Sequence, residues 1–226
     1  MTGGYPASVL LLTLLACASE SSDGPFALAF DGGEDCVEVD VAALDVPTSA
    51  FTVEAWIRGE PAPADRPRPV VSWNGVFSLG EAFGGDTSFS VGGAEPATTV
   101  VSVMDGVLHH LAGTWDGETA SLYVDGVRQA FADGVVPVAP TATLRVGCDS
   151  EVNAFEGVLD EVRISTRARY TEDFDLPSGP FADDVETFAL FHFDEGEGAE
   201  SYDNERGYLA NVYGVDWIPF KIAETE

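Results

Sequence analysis

Apolar and polar residues along this chain alternate in short runs and almost never repeat every three to four positions. From Phe51 to Arg58, Phe51, Val53, Ala55 and Ile57 fall on one side and Thr52, Glu54, Trp56 and Arg58 on the other, the period of two that a strand imposes. His110 to Trp115 repeats the pattern, with Leu111, Gly113 and Trp115 opposed to His110, Ala112 and Thr114, and Asp116-Gly117 follows at once. Ala120, Leu122 and Val124 are then set against Ser121, Tyr123 and Asp125, and a second pair, Asp125-Gly126, ends the run. Glycine accepts the positive φ that hairpin turns demand, so both pairs predict reversals. The segment therefore predicts a three-strand meander with one buried face. Other strand-like runs are separated by Gly, Pro, Asp and Asn clusters, which predicts an all-β sandwich or barrel. A turn or two of helix is expected only near residues 171–174, where Thr171 can cap and Glu172 and Asp173 suit the positive helix end.

Several runs carry a more specific pattern. His110, Ala112, Thr114, Asp116 and Gly117, then Leu122, Tyr123, Val124, Asp125 and Gly126, then Phe155, Gly157, Leu159, Asp160, Glu161, Val162, Arg163 and Ile164 resemble the W-H-x-A-x-T-x-D-G, L-Y-V-D-G and F-x-G-x-[IL]-D-E-V-R-I segments of bacterial laminin-G-like domains. These belong to the concanavalin A-like lectin and glucanase superfamily. His109 stands where that family usually has Trp. Residues 29–32, 36–39 and 51–57 resemble the family's first strands, and Leu190 to Gly196 resembles a W-x-F-D-E-G segment that often precedes such domains but here follows, with Trp217 closing it. The resemblance implies an antiparallel two-sheet jelly-roll sandwich with minimal helix over residues 26–218, with 219–226 as a tail.

Length and composition fit that reading, because 226 residues suit one all-β domain with a sizeable core. Residues 1–16 differ from the rest. Val9 to Leu15 is an apolar run too short to span a bilayer, and Leu14-Leu15-Ala16-Cys17 resembles a bacterial lipobox, with cleavage before a lipidated Cys17. The n-region lacks Lys and Arg, and the alternative is a plain secretory signal with Cys17 incidental. Residues 17–25 would then form a flexible tether. The expected location is the cell envelope, as a lipoprotein, or the medium, and any membrane association is through the lipid. In an oxidising compartment Cys36 and Cys148 are expected either to bridge or to remain two buried thiols.

The formal charge is −29, and no charged side chain occurs in residues 1–16. Nucleic acid and anionic membrane surfaces are therefore excluded as natural partners.

Candidate chemistry is sparse. Glucanases of the superfamily carry an E-x-D-x-(x)-E strand whose outer carboxylates flank the glycosidic bond. Glu38-Val39-Asp40-Val41 begins such a strand, but Ala42 and Ala43 occupy both places for the second glutamate. Ser88-Phe89-Ser90-Val91-Gly92 misses the first glycine of a serine-hydrolase elbow. His109, His110 and His192 lack metal-protease spacing and read as structural. The resemblance implies a structural calcium on the convex side, held by an Asp that begins the D-x-V-R strand and by carbonyls near the first strands. That nominates Asp160 with Asp31 and Gly33, Glu34 and Asp35 standing close by, against the alternative that Asp160 caps a turn or pairs with Arg163.

A sugar site needs an aromatic platform beside polar groups. Trp56 with Glu54 and Arg58 meets that requirement if its side of the strand faces outward, against a packing role for the ring. Tyr123 and Trp73 are further platforms, with Asn74 and the loop 81–86 as rim. The expectation is a non-catalytic lectin-like module for carbohydrate or a protein partner. The alternatives are an atypical glycoside hydrolase using Glu54 or Glu161, and an adhesion protein without a sugar site.

Overall fold

The computed structural model describes residues 25–40, 47–137, 143–150, 153–203 and 206–222. The signal-peptide, Cys17 and tether expectations fall on residues outside these, apart from Pro25. Among the described residues all regular structure is strand. In chain order these are β1 (Phe26–Asp31), β2 (Cys36–Val39), β3 (Phe51–Gly59), β4 (Arg68–Trp73), β5 (Phe77–Glu81) and β6 (Thr87–Val91). Next come β7 (Ala97–Thr99), β8 (His109–Trp115), β9 (Thr119–Val124), β10 (Val127–Asp133), β11 (Leu144–Val146) and β12 (Cys148–Ser150). The last are β13 (Asn153–Ala154), β14 (Glu156–Ser165), β15 (Thr187–Phe191), β16 (Glu200–Tyr202), β17 (Leu209–Tyr213) and β18 (Asp216–Pro219).

They form a two-sheet sandwich. The first sheet runs β10-β9-β8-β3-β14-β1-β18, with β15 also on β14, and the second runs β16-β17-β2-β11-β4-β5-β6-β7. All pairings are antiparallel, and β12 and β13 form a small hairpin beside the second sheet. Inward positions supplied by the period of two meet between the sheets: Phe51, Val53, Ala55, Ile57, Leu111, Trp115, Leu122 and Val124 from one, Val71, Trp73, Leu79, Phe89, Val91 and Val146 from the other. Gly113 is required there, since a Cβ on it would lie 2.4 Å from the Phe89 ring. The meander is as read, and Asp125 (φ 52°) and Gly126 (φ 76°) both take the left-handed conformation of a tight hairpin turn.

Three differences from the sequence reading matter. Both faces of β8 are buried, because residues 166–186 cross the outer side of the first sheet as a strap. No helix forms at 171–174: the Phe174 N–H donates to Gly126 O at 2.8 Å and the Arg128 N–H to Asp173 Oδ1 at 2.9 Å, so that segment is tied to the β9–β10 turn. Of the expected tail 219–226, the described residues 219–222 are packed against the sandwich. Pro219 ends β18, the Phe220 N–H donates to Pro25 O, and Ile222 packs with Trp56, Phe181 and Leu190.

Strand β14 changes partner midway. Its first half pairs with β1 (Leu28↔Leu159) and its second with β15 (Val162↔Phe191). At the exchange a bulge opens between Asp160 and Arg163, with Glu161 at φ 54°. Because Leu159 and Val162 both point into the core, the bulge turns two successive carboxylates, Asp160 and Glu161, to the outer side.

Candidate ligand-binding site

The outer face of the first sheet holds four of the five nominated sugar contacts, Glu54, Trp56, Arg58 and Tyr123, and the strap covers all of these but Arg58. Glu54, fully buried, accepts Arg163 Nε at 2.9 Å on Oε1, and on Oε2 it accepts the Tyr170 hydroxyl at 2.7 Å with His110 Nε2 at 3.1 Å. Burial alone would raise its carboxyl, but the His110 hydrogen bond and the Arg163 charge outweigh that and hold it below the usual carboxylate range. The Arg163 guanidinium lies over the Phe181 ring at 4.4 Å. Tyr170 stacks on Phe174, and His110 meets Trp56, Tyr170, Phe174 and Phe181 edge-on. The strap thus covers Thr52, Glu54, Trp56, His110 and Tyr123.

Trp56 and Tyr123 are therefore corrected from exposed platforms to buried packing residues, and Glu54 from a sugar contact to the centre of an internal network. Arg58 stays half-buried, its guanidinium over the Phe220 ring. Trp73 is fully buried between the sheets. The reason is common to Trp56, Glu54 and Tyr123: alternation assigns a side of a strand, and only a distant segment decides whether that side meets water. His109 joins Asp105 and Asp125 through its two ring nitrogens, the structural role expected of it.

The calcium set does not converge. Asp31 lies opposite Glu156, four residues along β14 from Asp160 and hence about 13 Å away at the ordinary rise of a strand. Asp31 Oδ1 accepts the Gly33 N–H and Asp35 Oδ2 the Asp31 N–H, a self-contained turn. Neither alternative reading of Asp160 holds as stated: its carboxylate accepts the N–H of Glu161, and Arg163 binds Glu54. Asp160 instead lines a cleft of about 460 Å³ with Glu161, Asp194, residues 178–180, Pro25, Lys221 and Ile222. Burial, and then the neighbouring Glu161 and Asp194 charges, push its carboxyl up to about 8. Glu161 has both oxygens engaged, Oε1 with His192 Nδ1 and Oε2 with the Phe181 N–H, each at 2.7 Å.

Among the described residues no strap crosses the outer face of the second sheet. Register lines up one polar row across seven strands: Glu200, Asn211, Glu38, Arg145, Ser72, Ser78 and Ser90 are successive cross-strand partners. Partners point to one side of a sheet, about 4.8 Å apart. A groove of about 400 Å³ lies over the part of the row from Arg145 to Ser90, with Asn74, Asp149 and Asn153 also lining it. Arg145 donates from Nε and Nη2 to Glu38 Oε1 and from Nη1 to Asp149 O, and Asn153 bonds Asp149. Among the described residues the side chains of Asn74, Ser78 and Ser90 have no protein partner, so the floor offers free hydroxyls and an amide beside a fixed wall.

That wall is pinned by a disulfide. Cys36 on β2 and Cys148 at the start of the β12–β13 hairpin are bridged, 112 residues apart in sequence, and Ser72 Oγ donates to Cys148 O. Of the groove, sequence reasoning named only Asn74 and Trp73. The available signal was the alternation Phe77-Ser78-Leu79 beside Ser88-Phe89-Ser90-Val91, two adjacent strands with serine on the outer side.

The chain belongs to the concanavalin A-like lectin/glucanases superfamily, whose family model matches residues 31–173. Among solved structures, a candidate carbohydrate-binding protein of Bacteroides ovatus ATCC 8483 is similar at TM-score 0.72 and 19% identity, over 89% of this chain. This chain spans 62% of that protein. The heptameric SAP-like pentraxin of Limulus polyphemus is similar at TM-score 0.56 and 12% identity, over 84% of this chain and 96% of the pentraxin. No curated protein matches the chain in sequence.

Proposed function

We propose that this protein is a non-catalytic module that binds neutral carbohydrate in the groove on the open face of the second sheet. The observation that carries the reading is the cross-strand row ending in Ser72, Ser78 and Ser90, with the last two hydroxyls and the Asn74 amide uncommitted. Sugar hydroxyls are recognised by such donors and acceptors held on a rigid sheet. The carbohydrate-binding description of the Bacteroides ovatus relative agrees with it.

Charge selects among glycans. The net charge of −29 repels acidic polysaccharides, and Arg145, the only cation lining the groove among the described residues, is already matched by Glu38. The hydrolytic alternative loses its residues: Glu54 is sealed, and both oxygens of Glu161 are engaged. Export belongs to the same reading, because a disulfide fits an oxidising compartment, with Cys17 as the lipid acceptor.

Screening the protein on immobilised glycans should give retention of neutral structures and none of uronic-acid polymers. The double variant Ser78→Ala with Ser90→Ala should bind roughly tenfold more weakly. Turnover of any retained glycan that is lost in Glu161→Gln would overturn the non-catalytic assignment. Labelling with a palmitate analogue, present in the parent and lost in Cys17→Ser, tests the anchor.

A further inference from the structure

The outer face of the first sheet also has a cross-strand row: Ser165, Thr52, Thr114, Ser121 and Phe131 are successive partners across β14, β3, β8, β9 and β10. The strap covers the first three. Thr52 bonds Arg167 O and the Arg169 N–H, and Thr114 bonds Tyr170 O. Beyond Thr114 the cover stops. Between the strap edge at Ala168, Tyr170 and Thr171 and the sheet-edge strand β10 lies a cleft of about 260 Å³.

Phe131 lines that cleft with its side chain largely in water, 70% exposed. Thr119 and Ser121 line it with hydroxyls that have no protein partner among the described residues. Arg128 commits one side-chain donor, Nη1, to Thr171 O, and Asp116 uses Oδ1 for the Glu118 and Thr119 N–H groups. That leaves further guanidinium donors and a second carboxylate oxygen. An exposed ring beside hydroxyls and one charge of each sign is the chemistry that recognises a neutral pyranose: its C–H face lies on the ring and its hydroxyls meet the polar rim. This combination is what the sequence placed at Trp56, and the fold supplies it at Phe131.

We infer that the cleft between the strap edge and β10 is a second binding site for a neutral saccharide unit. The inference rests on the carbohydrate-binding reading of the protein but uses a separate surface. The two sites lie on the outer sides of opposite sheets, so one chain engages two glycan segments and cross-links them.

The test is solution NMR of the whole chain titrated with cellohexaose, mannohexaose and arabinohexaose. Binding of at least one should perturb the Phe131, Thr119 and Ser121 resonances independently of Ser78 and Ser90. Phe131→Ala, a surface change that leaves the fold intact, should weaken the cleft site by roughly 3- to 10-fold and leave the groove affinity unchanged. Perturbation of the groove alone, in parent and variant alike, overturns the second site and leaves the proposed function standing. Perturbation of the cleft alone supports the second site and removes the groove from the function. Concentration-dependent self-association abolished by Phe131→Ala, without saccharide shifts at β10, would assign the ring to a contact between copies and overturn the inference. If none of the three sugars shifts any resonance, both sites fall.

Discussion

The two outer faces of the sandwich begin from the same pattern, strands whose outward positions are Ser, Thr, Glu and Arg, and end as opposite surfaces. On the first sheet, Thr52, Glu54, His110 and Arg163 lie beneath the strap, and most of their polar atoms are matched. The exceptions are the side-chain nitrogens Nδ1 of His110 and Nε1 of Trp56, buried without partners. On the second sheet, the side chains of Ser78, Ser90 and Asn74 have no protein partner among the described residues. The difference teaches that a covered polar face must largely satisfy itself, because an unpaired buried group costs more than a paired one contributes. An open face can leave groups unpaired, and those are the groups available to a ligand.

Breaking the covered face should have the largest effect. Glu54→Gln keeps the volume but leaves the Arg163 guanidinium buried without its counter-charge, which should cost about 3–5 kcal/mol in urea denaturation at neutral pH. Replacing both, Glu54→Leu with Arg163→Met, should cost less than either single change. The pH dependence has a definite sign. Glu54 is held below its ordinary value of 4.5, so its stabilisation is present above that value and lost as pH falls through the lower, folded one. The gap between parent and Glu54→Gln should therefore narrow in acid.

The open face depends on its staple instead. Cys36→Ser with Cys148→Ser should cost about 2–4 kcal/mol, read from denaturation with and without reductant, and should weaken glycan binding because Asp149 and Asn153 lose their anchor. Survival of full binding in this variant would detach the disulfide from the site.

A smaller effect probes the acidic cleft at the margin of the covered face. Asp160, raised from 3.8 to about 8, binds its proton more tightly folded than unfolded, so ionising it opposes folding increasingly as pH rises between those values. Asp160→Asn should therefore be more stable than the parent at pH 9 by at least about 1 kcal/mol and equal to it near pH 3. The smallest stability effect belongs to the groove: Ser78→Ala and Ser90→Ala should stay within about 0.5 kcal/mol by thermal melting while binding falls. A large stability loss there would mean that the serines serve the fold.

Much of the sandwich was legible in advance. The faces of β3, β8 and β9 and the Asp-Gly reversal at residues 125–126 follow from alternation and turn chemistry. The bulge at residues 160–161 was not legible, since it arises from the exchange of β1 for β15 along β14. Nor was the strap, whose acidic sequence shows no period and suggested at most a turn of helix at 171–174. Its anchors Tyr170, Phe174 and Phe181 look like scattered aromatics until His110 and Glu54 are brought beneath them.

The sequence by itself determined which residues share a side of each strand, because the period of two is a local property of the backbone. It also supplied the two cysteines of the bridge and the net negative charge. Tertiary structure alone decided which side meets water. Exposure depends on segments far away in the chain, and the strap removed Trp56 and Glu54 from solvent while leaving Ser78, Ser90 and Phe131 open to it.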